Sequence, residues 1–341
     1  MQILSARGLQ YKLLLSLILG IGVVLTLALY ADAPSLLATL RSFRWELVPL
    51  VLALTLLNYA LRFLKWQYYL RQIGVRIAAR DSFAIFCSGL SMAMTPGKVG
   101  EVLKPVLLKL RTGTPVIRSV PVVVAERLTD GIAMIILAIG GLLLSRQAWQ
   151  IVFVSLVLAA AVVALLGTGT GTGAVLRLSH RLPFVGARVA HIEAFLASSR
   201  ILFTPRNLAF AVGIGVVSWS GEGVALFLIL LGLGFHASAT LAVQATFVLS
   251  ASSLVGSLSL LPGGLGVADA SVTGLLIVIV HAVRVKAAAA TLLIRFCTLW
   301  FGVAIGMVSL VVFRRRFHAA AGEPVWQDDD GEAMPVGGNP A

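Results

Sequence analysis

The chain has 341 residues, of which 59% are hydrophobic and only 12% charged, with a mean hydropathy of +0.98. A soluble globular domain carries about twice that share of charge, so the composition excludes one and indicates an integral membrane protein. The net charge of +13 is spread in short clusters between apolar runs, which excludes a nucleic-acid-binding face and reads as topology signals and contacts to anionic lipid head groups.

The expected fold is an all-α polytopic membrane protein with six full spans and two helix pairs broken at Pro-Gly. Residues 1–45 hold a first span at 12–31 and its following loop; the apolar run is retained, with no convincing cleavable signal. Residues 46–145 form a first repeat, in which spans 46–66 and 119–145 flank a re-entrant pair, 81–95 and 97–110, within 81–110. Residues 146–206 hold a span at 148–168 and a cytoplasmic segment. In that segment Leu178, Leu182, Val185, Val189, Ile192 and Phe195 alternate with Arg and His, predicting an amphipathic surface helix over 174–203. Residues 207–313 repeat the first order: spans 207–232 and 287–313 flank a pair, 239–260 and 264–281, within 239–281. The tail 314–341, with Asp328-Asp329-Asp330, reads as disordered and cytoplasmic.

Lys and Arg near span ends place both termini inside the cytoplasmic (inner) membrane if each broken pair returns to the face it entered from. The first pair then dips from the cytoplasm and the second from the opposite face. Arg41, Arg44, Arg284 and Lys286 fall outside, against the bias. An inverted-topology repeat follows, an arrangement that builds transporters around a site near the midplane.

The breaks themselves are one device written twice: Thr95-Pro-Gly-Lys-Val-Gly-Glu101 and Leu261-Pro-Gly-Gly-Leu-Gly-Val267, with Pro96 and Pro262 standing 166 residues apart. A Pro-Gly break in apolar sequence is costly unless protein or water satisfies the freed backbone. The helix that opens after each break offers free N–H groups and a positive dipole end to an anion. Close helix packing on small residues explains part of the same pattern. No Gly-Lys-Ser/Thr follows the glycines, which excludes a nucleotide loop.

Charges inside apolar segments cost at least about 2.5–3.5 kcal/mol each and persist when paired or facing water. Lys98, Glu101 and Lys104 follow the first break, and Glu126, Arg127 and Asp130 open the next span, with both carboxylates on one helical face. Lys98, Lys104 and Arg127 suit a phosphate, with Glu101, Glu126 and Asp130 holding them in place. An ion-pair network that only anchors the loop is the competing reading, as is a snorkelling role for Lys98. In the second repeat Arg295 matches Arg127 in position, and Asp269 is its natural partner. Glu222 reads as a proton-coupling carboxylate, a cation partner or a packing residue. The candidate substrate-binding set is Pro96, Gly97, Lys98, Gly100, Glu101, Lys104, Glu126, Arg127, Asp130, Glu222, Pro262, Gly263, Gly264, Gly266, Asp269 and Arg295. Asn58, Arg62, Lys65 and Trp66 read as an interfacial anchor, and Cys87 and Cys297 as packing residues. Histidines at 180, 191, 236, 281 and 318 show no metal spacing, so no catalytic residue, metal or cofactor is expected.

The Pro96-Gly-Lys-Val-Gly-Glu101 element, the Glu126-Arg127 pair with Asp130, and Pro262-Gly-Gly-Leu-Gly266 resemble the lysylphosphatidylglycerol synthase transmembrane region, or flippase-like domain family, over about residues 10 to 315. The resemblance implies the lipid-flipping half of an aminoacyl-phosphatidylglycerol synthase without its synthase domain. Asp269 stands where the family leads one to expect a glutamate. The implied function is a non-enzymatic flippase for a phospholipid or polyprenyl-phosphate-linked sugar, with membrane lipid as partner, no nucleic acid, and homo-oligomers left open. A membrane transferase using a polyprenyl-phosphate donor, with Glu101 or Asp130 as base, and an accessory subunit of a lipid-biosynthetic complex are the alternatives.

Overall fold

The computed structural model describes residues 20–93, 102–142, 149–181, 189–259 and 261–321. In chain order the helices are α1 (Gly20–Tyr30), α2 (Ala33–Arg41), α3 (Val48–Gln72), α4 (Ala79–Leu90), α5 (Leu103–Thr112), α6 (Val116–Leu142) and α7 (Trp149–Gly167). They continue as α8 (Gly169–Arg181), α9 (Val189–Leu202), α10 (Pro205–Gly232), α11 (Ala239–Leu258), α12 (Val267–Ile279), α13 (Arg284–Arg295) and, after a π-helical turn at Phe296–Trp300, α14 (Phe301–Ala321). No strand occurs among the described residues.

Local chemistry sets the joints. Between α1 and α2 the chain bends by 99° at Asp32, whose carboxylate accepts the Ser35 N–H and hydroxyl and caps α2. At the end of α3, Gly74 adopts φ +76°, its N–H bonds to the Arg71 carbonyl, and the Val75 N–H reaches back to Leu70. The end of α10 is built the same way: Gly234 at φ +83° bonds to Leu231, and Phe235 to Leu230. Glycine enters this left-handed conformation without a Cβ penalty, and the crossed bonds satisfy carbonyls that a helix end leaves bare.

The same order of elements therefore recurs: long helix, helix hairpin, long helix. In the first unit α4 packs on α5, and in the second α11 packs on α12. Ala79 and Ala239, which open α4 and α11, are 160 residues apart, as are Asn58 and Ser218. The long helices α3 and α10 run antiparallel. The Arg44 N–H bonds to the Gly232 carbonyl at 3.2 Å, and the Tyr68 hydroxyl donates to Asn207 at 2.6 Å. Midway between these contacts, Asn58 and Ser218 exchange bonds at 3.2 and 3.5 Å. Two residues 160 positions apart in the chain thus meet at one crossing point.

The units are also interlocked. Helix α4 packs on α14, with the Ser88 and Ser309 hydroxyls 3.2 Å apart, while α11 packs on α6. One apolar core gathers Trp66, Ile85, Leu108 and Val122, and another gathers Leu226, Phe247, Leu276 and Ile294. Outward-facing Leu29, Val217 and Val311 are exposed, whereas Lys65 and Asp130 are buried. That polarity is the reverse of a soluble protein's and suits a hydrocarbon surround.

Among the described residues five stretches are long and apolar enough to cross a membrane, Trp45–Gln72, Pro205–Gly232, Ala239–Leu258, Pro262–Ile279 and Arg284–Phe313, with a sixth if α1 and α2 count as one. Both arms of the second hairpin are among them. The expected first span is present from Gly20, its earlier residues lying outside the described ones. The amphipathic segment is two helices, α8 and α9, with 182–188 outside the described residues. Helix α14 runs on to Ala321, past the expected start of the tail at 314.

Basic residues that break the charge bias have local work at helix ends. Arg44 donates to the Leu231 carbonyl at 3.0 Å, and the Lys286 ammonium stands 5.2 Å from the Phe235 ring. Arg118 does for the first unit what Arg44 does for the second, donating to the Ile73 carbonyl at 2.9 Å. Cations are favoured wherever helices leave carbonyls bare, whichever side of the membrane that is. At the crossing point, replacing Asn58 by Leu is expected to lower stability by roughly 0.6–1.7 kcal/mol, the range for inter-helix hydrogen bonds in membranes. Unfolding in mixed micelles checks it, with exposed Leu57→Ala as a near-neutral control.

Candidate functional site

Helix α6 organises the site. Glu126 and Asp130 lie one turn apart as their spacing predicts, yet they take cations from different helices. Lys104 of α5 forms an ion pair with Glu126. Its stem runs past Gly89, where a Cβ would sit 2.6 Å from the Lys104 Cγ, and its ammonium stands 4.5 Å from the centre of the Trp66 ring. Lys65 of α3 donates to Asp130 at 2.6 Å, with the two side chains 1% and 2% exposed. Arg62 approaches the other Asp130 oxygen at 3.8 Å.

Arg62, Lys65 and Trp66 are thus not the interfacial anchor expected. Helix α3 continues to Gln72, nearly two turns beyond the expected end of the span at 66, and this carries all three into the interior. Two charges three residues apart in a run still apolar on both sides were the available signal.

In the second unit the expected Asp269–Arg295 pair is formed. The Arg295 Nε donates to Asp269 Oδ1 at 2.7 Å, and Asp269 Oδ2 accepts the Gly266 N–H at 2.9 Å. The break is a turn of one 3-10 helix at Pro262–Gly264, with Gly263, Gly264 and Gly266 at φ +58°, +66° and +80°, a conformation that disfavours any side chain. Arg295 also reaches the Gly263 carbonyl at 3.5 Å. Asp269 therefore caps α12 and holds Arg295. The start of α12, expected to offer its N–H groups to an anion, already has its own carboxylate. Pro96, Gly97, Lys98, Gly100 and Glu101 lie outside the described residues.

Between the units lie two adjoining cavities of about 160 and 190 Å³. Arg62, Trp219 and Arg295 line both. The first is completed by Asn58, Tyr59, Glu222 and Ser252, and the second by Lys104, Arg127, Gly263 and Gly264. Arg127 and Arg295, matched in the sequence, line the same cavity, and Glu222 lines the adjoining one, which Arg295 also reaches. Glu126, Asp130 and Asp269 stand behind the cations as counter-ions. Pro262, Gly266 and Asp269 line a separate, mostly apolar cavity of about 510 Å³ beside α1. Five cations (Arg62, Lys65, Lys104, Arg127, Arg295) thus share this interior with four carboxylates (Glu126, Asp130, Glu222, Asp269) among the described residues. The Arg295 Nη2, Trp219 Nε1 and Ser252 Oγ are buried without a hydrogen-bond partner among the described residues, a state that calls for a ligand or water.

A family model described as the lysylphosphatidylglycerol synthase TM region matches residues 13–306. The chain belongs to this family. The stretch that matches the lysylphosphatidylglycerol synthase TM region takes in both breaks and every residue named above as lining the two adjoining cavities. Comparison with curated proteins finds no match. Cys87 and Cys297 are buried free thiols, as expected of packing residues.

Removing one partner of a buried pair strands the other charge. Asp130→Asn is therefore expected to cost about 3–5 kcal/mol, while Asp130→Leu combined with Lys65→Met recovers most of it. Thermal unfolding of the purified variants measures both, and a double variant no better than the single one would refute this account of the pair.

Proposed function

We propose that the protein is a lipid flippase of the cytoplasmic membrane. It moves a lipid with a phosphate-containing head group, a phospholipid or a polyprenyl-phosphate-linked sugar, and makes or breaks no covalent bond. The observation that carries this reading is a pair of adjoining cavities lined by Arg62, Lys104, Arg127 and Arg295, enclosed by a bundle whose outer face is apolar. Within such an interior cations that line a cavity are stabilised by an anionic ligand, and arginine offers the planar fork that matches two phosphate oxygens. The head group occupies the cavity beside Arg62, Lys104, Arg127 and Arg295 while its chains remain in lipid.

Alternating opening of two inverted halves exposes that cavity to each leaflet in turn. The antiparallel run of α3 against α10, with equivalent residues meeting at Asn58 and Ser218, supports an inverted repeat. So does the repetition of a helix hairpin after each long helix. In this reading the hairpins enter from opposite faces and both termini are cytoplasmic.

Purified protein in liposomes is expected to move labelled phosphatidylglycerol or a prenyl-phosphate sugar between leaflets. Losing one charge-assisted contact of about 1.5–3 kcal/mol predicts that Arg127→Gln and Arg295→Gln each slow transport at least about tenfold. A protein that moves neither lipid, with both variants indistinguishable from wild type, would remove the basis for the proposal.

A further inference from the structure

Glu222 differs from the other acids of the interior. Glu126, Asp130 and Asp269 each hold a cation of a neighbouring helix, whereas Glu222, only 5% exposed, makes no hydrogen bond or ion pair with any described residue. Arg62 lies within its electrostatic reach. Arg62 follows Asn58 by four residues and Glu222 follows Ser218 by four, and helix side chains lean toward the N-terminus, so both lean back toward the crossing of α3 and α10. They line the same cavity. Arg62 is loosely held there: it stands 3.8 Å from Asp130, whose other oxygen takes Lys65 at 2.6 Å.

Few other titratable groups face Glu222. Tyr59 of α3 and Cys297 of the π-helical turn stand within reach of its charge; the Tyr59 hydroxyl donates to the Thr298 carbonyl at 2.7 Å, and Cys297 is a free thiol. Arg295 of α13 is bound to Asp269 of α12. Helix α11 contributes Ser252 and Ser253 and has no titratable residue. On α6, Glu126 and Asp130 are paired, while Arg127 lines the adjoining cavity with Lys104 of α5. His191, Glu193 and Arg200 of α9, and Glu46, belong to elements that meet α10 at its two ends, where Asn207 bonds to Ile201 and Arg44 to Leu231. Among the described residues no histidine lines either cavity.

Resting on the flippase reading, we propose that Glu222 is a proton-coupling site: it takes a proton from water when an anionic head group enters beside Arg62 and returns it when the head group leaves. The anion engages the guanidinium that faces Glu222 and sets a second negative charge near the first. Like charges in an interior of low dielectric repel strongly, and a proton on the carboxylate removes the repulsion. Linkage is reciprocal, so the neutral acid in turn tightens the hold on the anion. A metal ion fits this place poorly, because Arg62 and Arg295 line the same cavity and repel it. Trp219 Nε1 and Ser252 Oγ, buried beside Glu222 without hydrogen-bond partners among the described residues, call for water. A cavity of about 160 Å³ has room for several molecules, which give the proton its path. A phosphodiester brings a single negative charge and the proton a single positive one, so the interior keeps the same net charge empty and loaded. Transport then answers to a pH gradient and not to the membrane potential.

The test is calorimetric. Dihexanoyl phosphatidylglycerol and citronellyl phosphoglucose are titrated into the detergent-solubilised protein in two buffers of different ionisation enthalpy, which counts the protons bound with each lipid. Both probes are phosphodiesters and lack the second ionisation that a phosphomonoester shows at about pH 6, so any proton change belongs to the protein. Wild type is expected to take up as much as about one proton per lipid, with affinity falling up to about tenfold for each unit of rising pH where uptake is greatest. In Glu222→Gln, whose amide is neutral at every pH, uptake and pH dependence are expected to vanish while binding persists. A wild type that binds either lipid without proton uptake, or uptake undiminished in Glu222→Gln, overturns the proton site and leaves the flippase reading standing. Binding of neither lipid overturns both. If Glu222→Gln fails to fold, infrared difference spectra of the wild type decide: a protonated-carboxyl band that grows on lipid addition is expected, and its absence overturns the site.

Discussion

An ammonium or guanidinium inside a bundle bathed in hydrocarbon is tolerated only where a carboxylate meets it or a polar cavity receives it. Helix α6 supplies two such carboxylates one turn apart, and the packing of the first unit follows from them. Glu126 draws in Lys104 and with it α5, and Asp130 draws in Lys65 and Arg62 and with them α3. The second unit solves the same problem differently: Asp269 spends one oxygen on its own helix start and the other on Arg295. In both units the paired carboxylates line neither of the adjoining cavities, whereas Arg62, Lys104 and Arg295 do. Glu222 is the exception, an acid at the cavity wall itself.

The recurring order of elements sets similar backbone features beside different side chains. Gly74 and Gly234 end α3 and α10 in the same way, Asn58 and Ser218 meet where those helices cross, and Arg127 and Arg295 each lie eleven residues after the first residue of α6 and α13. Side chains then diverge where chemistry is needed. Arg62 and Glu222 stand at equivalent places, each one turn past the crossing of α3 and α10, yet carry opposite charge. Such a substitution turns a symmetric cage into one with a direction, since the two ends present different partners to whatever lies between them.

Much of this was legible in the sequence. Pro262 with its three glycines announced a break because no continuous helix accommodates them. Glu126 and Asp130 announced a shared face, and Asp269 with Arg295 a pair, because unpaired charge in an apolar run is costly. What escaped was the extent of α3. Hydropathy falls after Trp66, and the falling signal resembles a membrane boundary. The helix persists because Lys65 is neutralised by a residue 65 positions away, which no local window contains. Trp219 and Ser252 escaped for a related reason, since a tryptophan or serine in an apolar span looks like packing until a cavity is seen beside it.

The interlocking of the two units bears on how the chain is made. Ser88 on α4 must wait for Ser309 on α14, 221 residues later, and at about 5–20 residues per second that is roughly 10–45 s of synthesis. Throughout this interval the first hairpin has its charged partner on α6 but lacks the helix that seals its other side. Insertion of this protein is therefore a late-closing event: the first unit waits in the membrane half-covered until α14 emerges and fastens it.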